Sequence, residues 1–145
     1  MTALTPTHDR AALQLQLNER ACLVACLCAA WCDTCTSYRL AFDQLALRHP
    51  DKCFAWVDIE DCAELVDALD IDNFPTILIQ HGDEVAFLGT MLPDINQLHR
   101  LLSALSADAA SSKASARNAQ APAGWSLRRL LQSDASSASV NLPAA

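Results

Sequence analysis

The longest apolar stretch in the chain, Ala21 to Trp31, is only about half the ~20 residues of a membrane helix, and the run within it, Cys22-Leu23-Val24-Ala25-Cys26-Leu27-Cys28, fits a strand buried on both faces. Strand side chains alternate, so Cys22, Cys26 and Cys28 share one face. Before this run, residues 11–17 predict a first helix with Thr7 or Asp9 as its cap, although Leu13, Leu15 and Leu17 alternate as a strand would. After it, Tyr38, Phe42, Leu45 and Ala46 recur at three- and four-residue intervals, predicting an amphipathic helix over 33–48 that stops near His49-Pro50. Residues 53–59 read as a second buried strand, and Asp61 as the cap of a helix from Cys62 to Leu69 with Leu65, Val66 and Leu69 inward. Residues 76–80 and 84–88 form a hairpin turned at Gly82-Asp83, and Pro93 opens a last helix carrying Ile95, Leu98, Leu101, Leu102 and Leu105. The order is α-β-α-β-α-β-β-α, an α/β domain over residues 1–105.

From residue 106 the pattern stops. Alanine and serine supply 21 of the last 40 residues, a composition with too little apolar surface to order itself, so 106–145 is expected to be a mostly disordered tail. One island, 125–131, gathers Trp125, Leu127, Leu130 and Leu131. It is expected either to be incidental or to form a short helix that docks on a partner protein or on the domain itself.

Ten basic residues against seventeen acidic ones give a formal charge of −7, which disfavours nucleic acid and anionic membrane as partners. The N-terminal twenty residues lack the pattern of an export signal. Seven irregularly spaced cysteines leave one necessarily unpaired. A soluble, monomeric protein of the reducing cytoplasm is expected.

The chemistry is concentrated at Trp31-Cys32-Asp33-Thr34-Cys35, at a strand-to-helix junction. A cysteine at a helix N-terminus meets unpaired backbone N–H groups and the positive end of the helix dipole, both of which favour thiolate. Cys32 is therefore the expected nucleophile, and Cys35, one turn on, the thiol that resolves a mixed disulfide. Two readings compete: a pair of inert buried thiols, or zinc held by Cys26, Cys28, Cys32 and Cys35, for which a rigid strand leaves little freedom. The acidic run 58–64 lacks the glycine and spacing of a calcium loop. The four histidines are scattered without ligand spacing and read as solvated.

Trp31-Cys32-x-x-Cys35, Phe74-Pro75-Thr76 heading a strand some forty residues later, and Gly89 after the hairpin together resemble the thioredoxin family over residues 10–105. The resemblance implies a thioredoxin fold, with a mixed four- or five-stranded sheet flanked by helices. It implies disulfide exchange at Cys32 and Cys35, a cis Pro75 beside them, and substrate contacts from Trp31, Phe74, Pro75 and Thr76. No cofactor or metal is expected; the partners are protein disulfides and an electron-donating reductase.

Departures from the family single out further residues. Asp33-Thr34 replaces the usual Gly-Pro, and the Asp33 charge opposes thiolate at its neighbour, making the pair more reducing. Cys26 stands where the family keeps a buried Asp that shuttles protons, and Trp56 where a lysine accompanies it. The base beneath Cys35 is thus unaccounted for, and Cys26 is expected to offer Cys35 an alternative disulfide partner under oxidation. Asp33, Thr34 and Cys26 are accordingly read as tuning residues. A protein-disulfide reductase is the leading expectation; a weakly catalytic binding or adaptor module, or a thiol-based redox sensor, is the alternative.

Overall fold

One mixed sheet in the order β2-β1-β3-β4 organises the chain. It is built from β1 (Cys22–Cys28), β2 (Cys53–Asp58), β3 (Thr76–His81) and β4 (Glu84–Thr90). The structure, a computed structural model, describes residues 3–29, 31–69, 71, 74–82, 84–107 and 125–132. β1 lies parallel to β2 and antiparallel to β3, and β3 is antiparallel to β4. The hairpin reverses at Gly82, whose φ of 58° is left-handed and suits a residue without Cβ. The optional fifth strand amounts to one bridge, Leu4 to Ala55, with Leu4 N–H donating to Phe54 O at 3.0 Å and Trp56 N–H to Leu4 O at 2.8 Å.

Every residue of β1 is buried, as a run apolar on both faces requires. Its Cys22, Val24, Cys26 and Cys28 meet Tyr38, Phe42 and Leu45 of α2 (Asp33–Arg48) and Leu98 and Leu102 of α4 (Ile95–Ala107). Leu23, Ala25 and Leu27 face the opposite way, onto Leu13 and Leu17 of α1 (Arg10–Glu19) and Leu65 and Val66 of α3 (Ala63–Val66). In α1 the alternating leucines resolve as a helix: Leu13 and Leu17, four apart, are fully buried and Leu15 is 65% exposed. Asp9 precedes this helix, but its carboxylate accepts the Thr5 amide at 3.0 Å instead of capping the first turn.

Helix starts and lengths differ most from the sequence reading at α3 and α4. α3 is a single turn rather than the span 62–69. The Leu65 and Leu69 amides bond to carbonyls only three residues back, and one turn suffices to bury Leu65 and Val66. Asp61 does not cap it; Cys62 holds that position, and Asp58 Oδ1 accepts the Glu60 and Asp61 amides at 2.8 and 3.3 Å. α4 begins after Asp94, not at Pro93, because Asp94 Oδ1 accepts the Asn96 amide at 3.0 Å as an N-cap.

The island in the tail is docked on the domain. α5 (Leu127–Gln132) seats Leu127 and Leu131, both fully buried, among the α1 and α3 leucines. A helix of six residues has no stability alone; this one is held by polar groups at both ends. Ser126 Oγ accepts the Arg129 amide at 3.0 Å, and Gln80 Oε1, from the fully buried Gln80 of β3, accepts the Arg128 amide at 3.0 Å. Gln80 Nε2 donates to Ser126 Oγ at 2.7 Å. At the other end Arg10 and Gln14 of α1 donate to the Leu130 and Leu131 carbonyls at 3.2 and 3.0 Å. Arg128 answers by donating to the Leu17 and Arg20 carbonyls at the C-terminus of α1. The rest of the tail, 108–124 and 133–145, lies outside the described residues.

His49 is not solvated as the sequence suggests. It is 9% exposed, stacked near Phe54, with Nε2 3.0 Å from His99 Nδ1, and His99 Nε2 is 3.3 Å from Arg48 Nη2. A guanidinium only donates, so His99 Nε2 accepts from Arg48, which leaves His99 Nδ1–H to donate to His49 Nε2. Burial, then the positive charge of Lys52, holds the His49 ring below its ordinary value near 6.5. Because the unfolded chain binds that proton more readily, the neutral ring's contribution is complete above about pH 6.5 and is lost as pH falls below it. Urea unfolding at about pH 7.5 and 5.5 should show a drop in stability that His49→Gln reduces; an equal drop in the variant would refute this.

Candidate functional site

Cys32 ends the loop from β1 and occupies the N-cap of α2, in extended backbone at φ −88° and ψ 115°. Its amide donates to Ala29 O at 3.0 Å, and its carbonyl accepts the Thr36 amide at 3.1 Å and the Thr36 hydroxyl at 3.2 Å. These bonds fix the residue where the first N–H groups of α2 converge. Its side chain is partly exposed, whereas Cys35, one turn along, is 1% exposed. Asp33 and Thr34, between them, are exposed.

An aromatic rim stands beside Cys32. Trp31, 65% exposed, meets Phe74 edge to face at 5.6 Å between centroids, and its Nε1–H donates to Glu60 Oε2 at 3.2 Å. The Phe74–Pro75 bond is cis, Pro75 O accepts the Met91 amide at 3.1 Å, and Thr76 begins β3 opposite Leu27. Phe74 and Cys32 both pack on the cluster that holds Cys26, Cys28 and Cys35. The fold thus brings together Trp31, Cys32, Cys35 and Phe74, with Pro75 and Thr76 following directly in the chain.

Beneath the rim the thiols are arranged differently from the sequence expectation. Cys35 is joined in a disulfide to Cys28, with Cα atoms 5.9 Å apart, and not to Cys26 or to Cys32. Cys26 is fully buried, with its Sγ 3.5 Å from Cys28 Sγ. Both residues share the predicted face of β1, but Cys28 is nearer the strand end from which α2 departs, and so lies within reach of the helix. With Cys28 and Cys35 joined, the four-thiolate zinc arrangement is closed to this state. Among the described residues no group of three or more His, Cys, Asp and Glu side chains is placed to hold a metal ion.

Burial raises the Cys26 thiol far above its ordinary range, with only partial relief from the Arg39 charge, so Cys26 stays protonated. Burial likewise pushes Cys22 and Cys53 up to about 11 and raises Cys62. Five cysteines are free: Cys22, Cys26, Cys32, Cys53 and Cys62. Cys32 is the one among them that is not buried.

Two participants escaped sequence reasoning. Arg39, one turn beyond Cys35, stacks its guanidinium over Trp56 at 5.1 Å and pairs with Asp43 at 3.3 Å. It therefore supplies a positive charge beside the position where the family pattern has lysine. Tyr38, three residues after Cys35, buries its hydroxyl without a hydrogen-bond partner among the described residues, and burial followed by the proximity of Cys26 raises its pKa. The phenol stays an O–H donor. The i, i+3 and i, i+4 spacing from Cys35 was visible in the sequence; the direction of each side chain was not. Arg39 and Trp56 also line a cleft of about 200 Å³ with Thr5, Thr7, Asp58 and Asp61.

Comparison with known proteins bears on this arrangement. A family model described as Thioredoxin matches residues 5–102. Thioredoxin domain-containing protein 2 of Mus musculus is 35% identical over 79 residues, covering 53% of this chain and 15% of that protein. Thioredoxin-like protein CXXS1 of Oryza sativa subsp. japonica is 34% identical over 68 residues, covering 47% of this chain and 51% of its own. The chain thus spans about half, or much less, of the length of these relatives. Among solved structures, the germline-specific thioredoxin Deadhead of Drosophila melanogaster superposes with a TM-score of 0.61 at 16% identity, over 72% of this chain and 99% of that one. Thioredoxin from Trypanosoma brucei brucei gives 0.61 at 18%, over 74% and 93%. At these identities the structural likeness concerns the fold.

Proposed function

Because the chain belongs to the thioredoxin family, we propose that it is a protein thiol-disulfide oxidoreductase of the cytoplasm, working in the reducing direction through Cys32 and Cys35. One observation carries the reading: Cys32 is the one thiol that is not buried, set at the N-cap of a sixteen-residue helix beside the Trp31–Phe74 rim. In the cycle, Cys32 thiolate attacks one sulfur of a protein disulfide and forms a mixed disulfide, releasing the other sulfur as thiolate. Cys35 thiolate then attacks Cys32 Sγ, which closes Cys32–Cys35 and frees the second substrate thiol. A reductase returns two electrons. The apolar rim and the chain edge at Pro75 and Thr76 receive the substrate backbone.

The test is turnover of insulin disulfides with dithiothreitol. Wild-type chain should accelerate reduction and Cys32→Ser should reduce the rate to that of dithiothreitol alone. A second reading, an adaptor or redox sensor that uses the fold without turnover, draws support from Cys26 and Trp56 standing at the family's Asp and Lys positions. Wild-type turnover equal to dithiothreitol alone would favour it.

A further inference from the structure

We propose that Cys28 is a third redox-active cysteine, which takes Cys35 over from Cys32 and leaves the oxidised chain with a buried Cys28–Cys35 disulfide and a free Cys32 thiol. The inference rests on disulfide exchange at Cys32 as proposed above and extends it by one step.

The geometry supplies both the bond and its isolation. Cys28 and Cys35 are joined, and each is 1% exposed beneath α2. No partner protein reaches either sulfur directly. Cys32, partly exposed at the helix N-cap, is the one of the cysteines that is not buried. Oxidation must therefore enter through Cys32 and be handed inward.

The step balances without any outside oxidant. After turnover closes Cys32–Cys35, Cys28 thiolate attacks Cys35 Sγ; the Cys28–Cys35 bond forms, the Cys32–Cys35 bond breaks, and Cys32 leaves as thiolate. The chain stays oxidised by two electrons throughout. Cys26 assists as a positioning residue: its Sγ lies 3.5 Å from Cys28 Sγ, and since Cys28 carries no proton in the disulfide, the Cys26 S–H is the donor. Reversal requires Cys32 thiolate to attack Cys35 Sγ and expel Cys28.

The functional consequence is a second mode of action. With Cys35 occupied, Cys32 still attacks a protein disulfide, but the resulting mixed disulfide has no resolving thiol. The reduced chain turns substrates over; the oxidised chain holds one covalently until an external thiol releases it.

The experiment is disulfide mapping of the full chain oxidised with graded diamide, then denatured, labelled with N-ethylmaleimide and cut with chymotrypsin. Cleavage after Leu27, Trp31 and Tyr38 separates Cys28 from Cys32 and Cys35. Expected in the wild type is the fragment 28–31 joined to 32–38, with the label on Cys32. In Cys28→Ala and Cys28→Ser, 32–38 should instead carry an internal disulfide, and labelling of Cys32 should fall about tenfold or more. An internal 32–38 disulfide in the oxidised wild type at every diamide ratio overturns the proposal, and needs no variant to fold. Insulin turnover through Cys32 with that result would leave the proposed function standing and remove only Cys28; the 28–35 linkage without insulin turnover would do the opposite.

Discussion

Leu127→Ala lowers the free energy of unfolding by about 2–5 kcal/mol in urea denaturation, the range for emptying a buried leucine site. Leu127 is fully buried between α1 and α3, within the one apolar island of an otherwise Ala- and Ser-rich tail. Truncation after Ala107 sets the ceiling on this loss, because a helix weakened beyond its docking energy simply detaches. Gln80→Leu should also release α5, since it removes both the acceptor for the Arg128 amide and the donor to Ser126. Insulin turnover per folded molecule should be unchanged by Leu127→Ala. α5 lies by Arg20 and Gln80, towards the end of β1 where Cys22 sits, and the nucleophile follows the other end. A Leu127→Ala chain as stable as wild type would show that the docked helix contributes nothing in solution.

Cys35→Ser should separate attack from release. Cys32 remains at its N-cap and still forms the mixed disulfide, but the intramolecular thiol that closes the cycle is gone. Intramolecular groups act at effective concentrations far above those of any added thiol, so turnover should drop on the order of 100-fold or more. The chain should accumulate as a one-to-one adduct with its substrate, visible by intact mass and dissolved by excess dithiothreitol. Serine at 35 is buried, so far-ultraviolet circular dichroism of the variant should accompany the assay. An adduct absent from a folded Cys35→Ser chain that has lost turnover would place the first attack elsewhere than Cys32.

The sequence reading and the structure agree where a local pattern decides the outcome. α2 spans 33–48 as its apolar spacing predicts, and the apolar run 22–28 is the central strand. They part where distant segments meet. Alternation puts Cys26 and Cys28 on one face, but which of them reaches Cys35 depends on how the loop through Ala29 sets α2 against the strand end. Buried Gln80 is a polar residue in an apolar strand, a signal that something must satisfy it; that the partner lies 46 residues away at Ser126 is not a property of any window of sequence. The His49–His99 pair, 50 residues apart, is hidden for the same reason. α3 ends after one turn although Leu69, beyond it, still packs on the same cluster, so the apolar spacing marks the inward positions but not the helix end.

The docking of α5 also has a consequence in time. On the ribosome the segment 10–107, with all four strands, is made before residues 127–132 exist. At roughly 5–20 residues per second, a nascent chain needs about 1–5 s to add the intervening stretch. For that interval Leu13, Leu17, Leu65 and Val66 lack the cover that Leu127 and Leu131 give them in the finished fold. Until the α5 segment is made and docks, the nascent domain therefore presents an apolar furrow between its first and third helices.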